Sequence, residues 1–473
     1  MCNRNARKGL SLALMLGGCN ATAQTPYPVG DIRATPTGVT YTVPSSYAAD
    51  EELMFFASGD FLYRTRGAPA DTEVVYQFPQ EFAYPPSDLV MIGSRLFFNC
   101  DGGLWISDGA PHTTRRVMQH NSPFLAKLVV GDLLYYQVPA GSPLMLELWR
   151  SDGTVEGTFR LWTQTPPRSR TLSMAAIDDM LVFQAETYDT GEELFQTDGT
   201  PEGTMLLHDF VPGRLGSHPS RLTTVGNSVF FSVDTDVSGV ELAKTDGVPG
   251  DAVLVKDILP GPADSNPGSF FAGPGFLYFF ANDGVHGSEL WRSDGSDAGT
   301  VLVRDINPGP ASSGTLDAYG IVANDVLYVA ATHAAFGWEL WKSDGTEAGT
   351  ALVRDVNLGS THSSNLREFA IVGDTVFFFA YTQAAGREPW KTDGTTEGTV
   401  MVLDTRNLLL VRWLGEADEA QLASLQYALQ RGVEAVFQVE GQELASERIG
   451  TGAQRRLLFW EAAEGGAGVL ARL

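Results

Sequence analysis

A twelve-residue pattern recurs along the chain and constrains its fold more than any other feature. It reads ELWRSDGSDAGT from Glu289 and ELWKSDGTEAGT from Glu339, and less exact copies precede and follow these two. With the second letter as the anchor, the copies lie at Leu62, Leu104, Leu148, Leu194, Leu242, Leu290, Leu340 and Pro389. The spacings between anchors are 42, 44, 46, 48, 48, 50 and 49 residues. Such a period, sustained over eight copies, is typical of a solenoid or a propeller.

Each copy of the repeat divides into four short segments that resemble β-strands. The stretch FAIVGDTVFFFAY at 369–381 is two β-rich runs broken at Gly-Asp, which is a hairpin signal. The letters ELW form a third strand, and after a turn at Ser-Asp-Gly-Thr a run such as TVLVRDI forms the fourth. Four antiparallel strands in about 48 residues is the size of one propeller blade. We therefore predict an all-β fold, a β-propeller over residues 31–404 with eight blades, or seven if the copy at Phe61 forms none.

The turn between the third and fourth strands has a defined chemistry. Aspartate hydrogen-bonds nearby backbone amides and glycine tolerates positive φ, so Asp-Gly favours a tight turn. A second glycine follows the first, as at Gly299 and Gly349. We predict that this second glycine relieves a β-bulge where the fourth strand begins.

The recurring letters ELW, DGT and GT resemble those of the ELWxxDGT repeat family of exported bacterial proteins, over roughly residues 50–404. The resemblance implies an exported β-repeat protein, and it supplies no established catalytic residue. The turn also resembles the Asp-box of sialidase propellers, SxDxGxTW, which lies on the hairpin between the third and fourth strands. Because that motif is structural, this likeness supports blades and does not support sialidase activity.

The first two dozen residues have the character of an export signal. Basic residues at positions 4, 7 and 8 precede an apolar run at 10–16, which is too short to span a bilayer, since a span takes roughly 20 apolar residues. The run ends in the letters LGGC at 16–19, which resemble the lipobox of bacterial lipoproteins. That resemblance implies cleavage of a signal peptide, residues 1–18, and lipidation of Cys19, followed by a tether over 19–30. We expect a protein attached to a membrane of the cell envelope, at the outer membrane or cell surface; an ordinary signal peptide with a chance cysteine is the alternative.

Charge and cysteine content limit the partners and the chemistry. The chain carries 57 acidic against 32 basic residues and a formal net charge of -25, so its surface repels phosphate backbones and nucleic acid is a poor candidate partner. Cys2 lies in the signal and Cys19 in the lipobox, which leaves only Cys100 and therefore no intrachain disulfide. We expect Cys100 to be a small buried hydrophobic residue.

Two sets of repeated side chains invite functional interpretations, and we predict structural roles for both. The tryptophans suggest a sugar-stacking ring, but large rings at one position per blade are expected to pack between neighbouring blades. The glutamates suggest a ring of catalytic or metal-binding carboxylates. Catalysis, however, uses one or two carboxylates in differing environments, so these are expected to hold backbone amides or a basic neighbour. The residues are Trp149, Trp291, Trp341, Trp390, Glu147, Glu289, Glu339 and Glu388.

The turn aspartates are the best candidates for calcium ligands, because hard cations prefer carboxylate and carbonyl oxygens. They are weak candidates, since each turn supplies one carboxylate. They are Asp152, Asp198, Asp294, Asp344 and Asp393. We predict no other cofactor. The seven histidines are scattered and no HExxH, GxSxG or phosphate-binding glycine motif is present, so no catalytic residue is assigned.

Residues 405–473 differ from the repeats. The letters EADEAQLASLQYALQR at 416–431 place leucines at helical spacing, ahead of strand-like runs and a glycine loop, so we predict a small α+β appendix. The letters at 437–444 and 457–468, FQVEGQEL and LLFWEAAEGGAG, resemble the last part of a domain at the C-terminus of certain bacterial DNA helicases, often called DUF1998. The zinc-binding cysteines of that family have no counterpart here, because no cysteine follows Cys100.

Three functional hypotheses follow. We favour a lipid-anchored envelope protein whose propeller is a binding or scaffold module for protein or glycan ligands, without catalysis. The first alternative is a carbohydrate-active hydrolase or lyase with a site in the central channel, which requires polar residues concentrated in one or two blades. The second is a nucleic-acid role of residues 405–473, which requires a basic patch, whereas the arginines there are outnumbered by acids.

Overall fold

A computed structural model of the chain describes residues 46–49, 53–66, 71–120, 122–141, 145–164, 173–358, 363–383, 385–402, 408–412, 444–449 and 456–461. The chain divides into two compact units, Met1–Thr399 and Val400–Leu473. The predicted signal peptide, Cys19, the tether and the predicted helix at 416–431 lie outside the described residues.

The strands form eight four-stranded sheets, which we number blades 1 to 8 in chain order. Blades 1 to 4 consist of β1 (Ser46–Ala49), β2 (Met54–Ser58), β3 (Phe61–Thr65), β4 (Glu73–Gln77), β5 (Ser87–Ile92), β6 (Arg95–Cys100), β7 (Gly103–Ser107), β8 (Arg115–Gln119), β9 (Ala126–Val130), β10 (Leu133–Ala140), β11 (Met145–Ser151), β12 (Phe159–Thr163), β13 (Met174–Ile177), β14 (Met180–Thr187), β15 (Gly191–Thr197) and β16 (Met205–His208). A 3₁₀ turn at Pro111–Thr113 lies between β7 and β8.

Blades 5 to 8 repeat the same arrangement. They consist of β17 (Ser220–Val225), β18 (Ser228–Thr235), β19 (Gly239–Thr245), β20 (Val253–Lys256), β21 (Gly268–Ala272), β22 (Leu277–Asn282), β23 (Ser288–Ser293), β24 (Val301–Arg304), β25 (Gly320–Ala323), β26 (Val326–His333), β27 (Gly337–Ser343), β28 (Ala351–Arg354), β29 (Arg367–Val372), β30 (Thr375–Thr382), β31 (Gly386–Thr392) and β32 (Val400–Met401).

Each blade is an antiparallel meander of four consecutive strands. The prediction of a propeller with eight four-stranded blades is confirmed, and the copy at Phe61 forms blade 1, where β3 pairs with β2 and β4. Every described sheet of the propeller takes its strands from one stretch of chain, and none combines strands from both ends of the series. Neighbouring blades are therefore held together by side-chain packing and by single hydrogen bonds, such as that from the N–H of Gly250 to the carbonyl of Leu207, rather than by a shared sheet.

Apolar side chains fill the space between consecutive blades. Leu290 and Trp291 are neighbours in β23 and so point to opposite faces of the sheet. Trp291 belongs to a buried cluster with Val255 and Ile258 from the preceding blade and its linker, whereas Leu290 belongs to a cluster with Leu327 of the following blade. The first strands of successive blades also contact one another, as β13, β17 and β21 do. The sheets thus stack around an axis with their first strands innermost.

A β-bulge lies in the fourth strand of blades 1 to 7. In blade 6, Leu290 and Trp291 pair with Arg304 and Leu302, which leaves Val303 of β24 as the extra residue. The predicted bulge in the fourth strand is therefore present, but the second glycine is not part of it, because Gly299 precedes β24. A Cβ at Gly349 would lie 2.0 Å from Oδ1 of Asp344. Glycine is needed there because the chain folds back directly over the turn aspartate.

A basic side chain that the sequence patterns did not single out joins blades to their successors. The residue after the repeated tryptophan is arginine or lysine in several copies. Arg150 donates to the carbonyl of Gly199 at 3.0 Å, and Lys342 donates to that of Gly394 at 2.8 Å. Each of these bonds fastens the Asp-Gly turn of one blade to the blade before it.

The loops of an antiparallel meander lie at two ends. We call one end the turn face: it carries the Asp-Gly turns between third and fourth strands and the hairpins between first and second strands. We call the other end the linker face: it carries the hairpins between second and third strands and the linkers from each fourth strand to the next blade.

Beyond β32, the described residues of the second unit form a three-stranded antiparallel sheet. Its strands are β33 (Leu408–Arg412), β34 (Leu444–Ile449) and β35 (Arg456–Glu461), in the order β33-β35-β34. Across the described residues of the whole chain, we find no helix with the length and apolar character needed to cross a membrane.

Candidate functional site

The repeated tryptophans lie between blades. Trp291, Trp341 and Trp390 are 7%, 4% and 7% exposed. Trp149 is partly buried, and its indole N–H donates to Oε2 of Glu147 at 2.9 Å. Rings buried to the extent of the first three present no open face to a sugar, and their position is that of core side chains.

The repeated glutamates hold the linkers. The carboxylate of Glu289 is fully buried and accepts the backbone N–H of Ile306 at 2.7 Å. It also accepts the N–H and the hydroxyl of Ser313 at 2.9 and 2.5 Å. Glu339 is equally buried and accepts the N–H of Val356 at 2.8 Å. Each of these two carboxylates therefore attaches its third strand to the linker that leads into the next blade.

The two remaining glutamates of this set are placed differently. Glu147 accepts Nη1 of Arg160 at 2.6 Å in addition to the indole of Trp149. Glu388, in blade 8, is partly buried. The glutamates named here do not pair with one another, because each is separated from its counterparts by a whole blade.

The buried glutamates predict a stability that falls as the pH rises. Burial raises the pKa of Glu289 and of Glu339 from 4.5 to about 7, against the opposing effect of their hydrogen bonds. A carboxyl with a raised pKa in the folded state gives a contribution that is complete below its unfolded pKa and is lost as the pH rises through the folded value. We expect the urea midpoint to fall by an amount equivalent to roughly 1 to 3 kcal/mol between about pH 5 and about pH 8.

The control for this pH dependence is Glu289→Gln, which cannot titrate and should give a shallower slope over the same range. The turn aspartates affect folding stability in a different pH range. The hydroxyl of Thr346 holds the pKa of Asp344 below 3.8, so its contribution is lost only in stronger acid. A midpoint that rises from about pH 5 to about pH 8 in the wild type would contradict this assignment.

The turn aspartates use their carboxylates within the turn. Oδ1 of Asp344 accepts the backbone N–H of Thr346 at 2.9 Å and its hydroxyl at 2.7 Å. The same pair of bonds is made by Asp152, Asp198, Asp294 and Asp393. Among the described residues, no group of three or more His, Cys, Asp or Glu side chains is placed to hold a metal ion. Calcium binding by these aspartates remains a prediction.

The linker that leads into blade 7 differs from the equivalent linkers of the other blades. Leu327 lies 14 positions after Ser313, whereas Leu277 of blade 6 lies 12 positions after Ser265. The two extra residues fall in Gly314–Tyr319, a segment that we call the axial excursion. In the sequence, the axial excursion corresponds to the longest spacing in the repeat series, 50 residues between Leu290 and Leu340. That spacing does not show where within the repeat the extra residues lie.

The axial excursion crosses the innermost strand of blade 6. The N–H of Ser269 donates to the carbonyl of Leu316 at 2.9 Å, and its hydroxyl donates to the carbonyl of Thr315 at 2.7 Å. The same hydroxyl accepts the N–H of Ala318 at 2.6 Å. Ser269 has φ +51°, so the first strand of blade 6 is kinked at this residue. The side chain of Ser269 contacts the axial excursion at that kink.

Two further blades reach the axial excursion through charged side chains. Arg221 of blade 5 donates Nη1 to Oδ1 of Asp317 at 2.8 Å. The guanidinium of Arg367, from blade 8, lies 5.6 Å from the ring centre of Tyr319. Asp317 and Tyr319 are exposed, so the excursion presents an ion pair and an aromatic ring at the axis.

Half of the exposed large apolar side chains of the described residues lie on loops of the linker face. Of eighteen such side chains among the described residues, two lie in Asp-Gly turns, Val155 and Val248. Seven lie within strands. The nine on the linker face are Tyr84, Leu125, Tyr188, Leu215, Val237, Val285, Leu316, Tyr319 and Leu358.

Carboxylates stand among these apolar side chains. The exposed ones on the described linker face are Glu81, Asp189, Asp234, Asp236, Asp264 and Asp317. Arg214 is an exposed basic residue in the same set of loops. The linker face thus combines apolar contact area with negative charge, an arrangement suited to binding another molecule rather than to a fully solvated surface.

Two histidine–carboxylate pairs occur on the linker face. Nδ1 of His218 lies 2.6 Å from Glu192, and Nδ1 of His286 lies 2.7 Å from Asp283. Within the described residues, neither ring is hydrogen-bonded to a hydroxyl or thiol. The pairs therefore orient two loop histidines without assembling a nucleophile beside a base.

No protein-family model and no curated protein sequence matches the chain. Among solved structures, a prolyl endopeptidase is 13% identical with a TM-score of 0.45, covering 86% of this chain and 52% of that one. The β-propeller domain of the Trilobed protease from Pyrococcus furiosus is 10% identical with a TM-score of 0.37, covering 77% of this chain and 99% of that one. Puromycin hydrolase is 12% identical with a TM-score of 0.38, and the chain spans 58% of its length. Similarity at this level assigns no activity.

Proposed function

We propose that this protein is a binding or scaffold module whose ligand, a protein or a glycan, docks on the linker face of the propeller. The observation that carries the proposal is the distribution of exposed apolar side chains, nine on the linker face and two in the Asp-Gly turns. Exposed apolar area gathered on one face is typical of an interaction surface. The axial excursion supports the same face, because it adds an exposed ion pair and a tyrosine beside the axis.

The test is a binding screen with a matched pair of double variants. Leu215→Ser with Val285→Ser alters the linker face, and Val155→Ser with Val248→Ser alters the Asp-Gly turns; all four residues are exposed, so folding should be unaffected. Purified protein is applied to an oligosaccharide array and to a peptide array. We expect one class of ligand to be retained by the wild type and the turn-face variant and lost by the linker-face variant. Equal binding by all three proteins would contradict the proposal.

We also propose that the chain is an exported lipoprotein of the ELWxxDGT repeat type. The proposal is supported by the letters LGGC at 16–19 after an apolar run, and by the repeat letters themselves. The lipid would hold the propeller at a membrane, and the acidic surface would remain in solution.

The variant Cys19→Ala is expected to abolish lipid attachment and signal-peptide cleavage. The thiol of Cys19 is the predicted lipid acceptor, and the cleavage is predicted to fall just before it. The measurement is metabolic labelling with a fatty acid, together with the mass of the protein in membrane and soluble fractions. Cys100→Ala is the matched control and should be labelled like the wild type, since Cys100 is buried in the propeller. Unchanged labelling of Cys19→Ala would refute the anchor.

A further inference from the structure

The linker face of blades 4 to 6 is one continuous strip, because backbone hydrogen bonds join its hairpins to its linkers. The N–H of Asp234 donates to the carbonyl of Ser217 at 2.8 Å, and that of Asn282 donates to the carbonyl of Ser265 at 2.9 Å. Each hairpin is thereby fixed against the linker that precedes it. We call this surface the acidic strip; it comprises residues 187–191, 209–219, 234–239, 257–267 and 282–287.

Four large apolar side chains project from the acidic strip. Tyr188, Leu215, Val237 and Val285 are 56%, 75%, 78% and 65% exposed. They come from successive loops, namely the hairpins of blades 4, 5 and 6 and the linker between blades 4 and 5. The strip therefore offers a row of separate apolar contacts rather than one pocket.

Carboxylates lie between these apolar contacts. Asp189, Asp234, Asp236 and Asp264 are exposed, and within residues 173–358 none of them forms an ion pair with a lysine or arginine. Burial and then the negative charges of Asp264 and Asp236 raise the pKa of Asp234, so these three carboxylates are close enough to repel each other. A cationic ligand would relieve that repulsion.

We propose that the acidic strip binds an extended polypeptide segment that carries lysine or arginine alternating with aliphatic side chains. The inference rests on the proposed function and names the partner for that face. Basic side chains would pair with the four aspartates, and the aliphatic ones would contact Leu215, Val237 and Val285. The spacing of contacts over three blades fits an extended chain, which presents side chains at regular intervals.

Other ligands fit the acidic strip less well. Sugars stack on flat aromatic rings, whereas three of its four apolar side chains are branched aliphatic ones. Nucleic acid is repelled by the carboxylates. A metal ion requires several carboxylates at one point, and Oδ1 of Asp264 is occupied by the N–H of Val240 at 3.0 Å.

The experiment measures fluorescence anisotropy of three labelled peptides of about twelve residues with the full-length protein. The probe is a Lys-Leu-Ser repeat, and the controls are Glu-Leu-Ser and Lys-Ser-Ser repeats. We expect the Lys-Leu-Ser peptide to bind at least about tenfold more tightly than either control, and its affinity to fall several-fold between about 50 mM and about 300 mM salt. The variant Asp234→Asn with Asp236→Asn, and the variant Val237→Ser with Val285→Ser, should each weaken binding about tenfold.

The matched control is Val155→Ser with Val248→Ser on the turn face, which should bind like the wild type; thermal unfolding confirms that every variant is folded. Equal affinity for all three peptides, or an equal loss in the turn-face control, overturns the inference. If the linker face instead retains an oligosaccharide on the array and no basic peptide, the polypeptide inference fails and the proposed function stands. If neither array nor peptides bind the linker face, both fail.

Discussion

Replacing Glu289 with alanine is expected to lower the free energy of unfolding by about 3 to 5 kcal/mol. The carboxylate is fully buried, and it accepts hydrogen bonds from the N–H of Ile306 and from the N–H and hydroxyl of Ser313. Alanine removes the acceptor and takes this partner from the N–H of Ile306 and the hydroxyl of Ser313 inside the blade interface. The linker between β24 and β25 would keep its backbone hydrogen bonds to the carbonyl of Ser288 at the start of β23.

Urea unfolding of three variants tests this expectation. Glu289→Gln retains one carbonyl acceptor, so its loss should be smaller than that of Glu289→Ala. Glu347→Ala is the surface control, because Glu347 is an exposed acid in the Asp-Gly turn of the next blade, and its effect should stay within about 0.5 kcal/mol. A loss of less than about 1 kcal/mol in Glu289→Ala would show that the carboxylate does not hold the linker.

The second large effect is expected for Trp341→Ala, which should cost about 3 to 5 kcal/mol of folding stability. Trp341 is 4% exposed and belongs to a buried cluster with Val303, Ile306 and Val329. Truncation would open a cavity between blades 6 and 7, whose two sheets are not joined by a backbone hydrogen-bond ladder. The loss should appear as a lower melting temperature and a lower urea midpoint.

Trp341→Phe is the control for shape and should recover most of the stability, because it restores an aromatic ring to the same interface. Sugar binding separates the structural role from a ligand-stacking role. If Trp341→Ala keeps its melting temperature and loses binding on an oligosaccharide array, the tryptophan is a ligand platform and the packing assignment is wrong.

The residues of the repeat motif therefore make contacts that hold neighbouring blades together. Glu289 ties a third strand to the following linker, Trp341 fills an interface, and Lys342 fastens the next Asp-Gly turn. Glu289 and Trp341 are buried, and Nζ of Lys342 donates to a backbone carbonyl. The proposed ligand site lies instead on the linker-face loops and beside the axial excursion, Gly314–Tyr319.

Much of the fold could be predicted because the signals are local. The alternation of apolar residues indicated strands, the Asp-Gly letters indicated the turns, and the count of eight anchors gave the number of blades. The copy at Phe61 lacks most of the motif letters, yet it forms blade 1. Its strands keep the apolar pattern. Packing between blades depends on that pattern, so a blade can form even where the residues of the Asp-Gly turn are missing.

The candidate site could not be predicted in the same way. Arg221 and Asp317 are 96 positions apart and form their ion pair only because blades 5, 6 and 7 are placed around one axis. Likewise, the exposure of Leu215, Val237 and Val285 depends on which loops share a face, and no local pattern distinguishes these side chains from core residues.

By itself, the sequence determined that four-stranded sheets recur eight times and that each buries both faces, because strand periodicity and turn chemistry act within a few residues. Only the tertiary structure decided which carboxylates are buried and which loops share a face. Those properties arise from contacts between segments that are separated along the chain, such as Glu289 with Ser313 and Arg221 with Asp317.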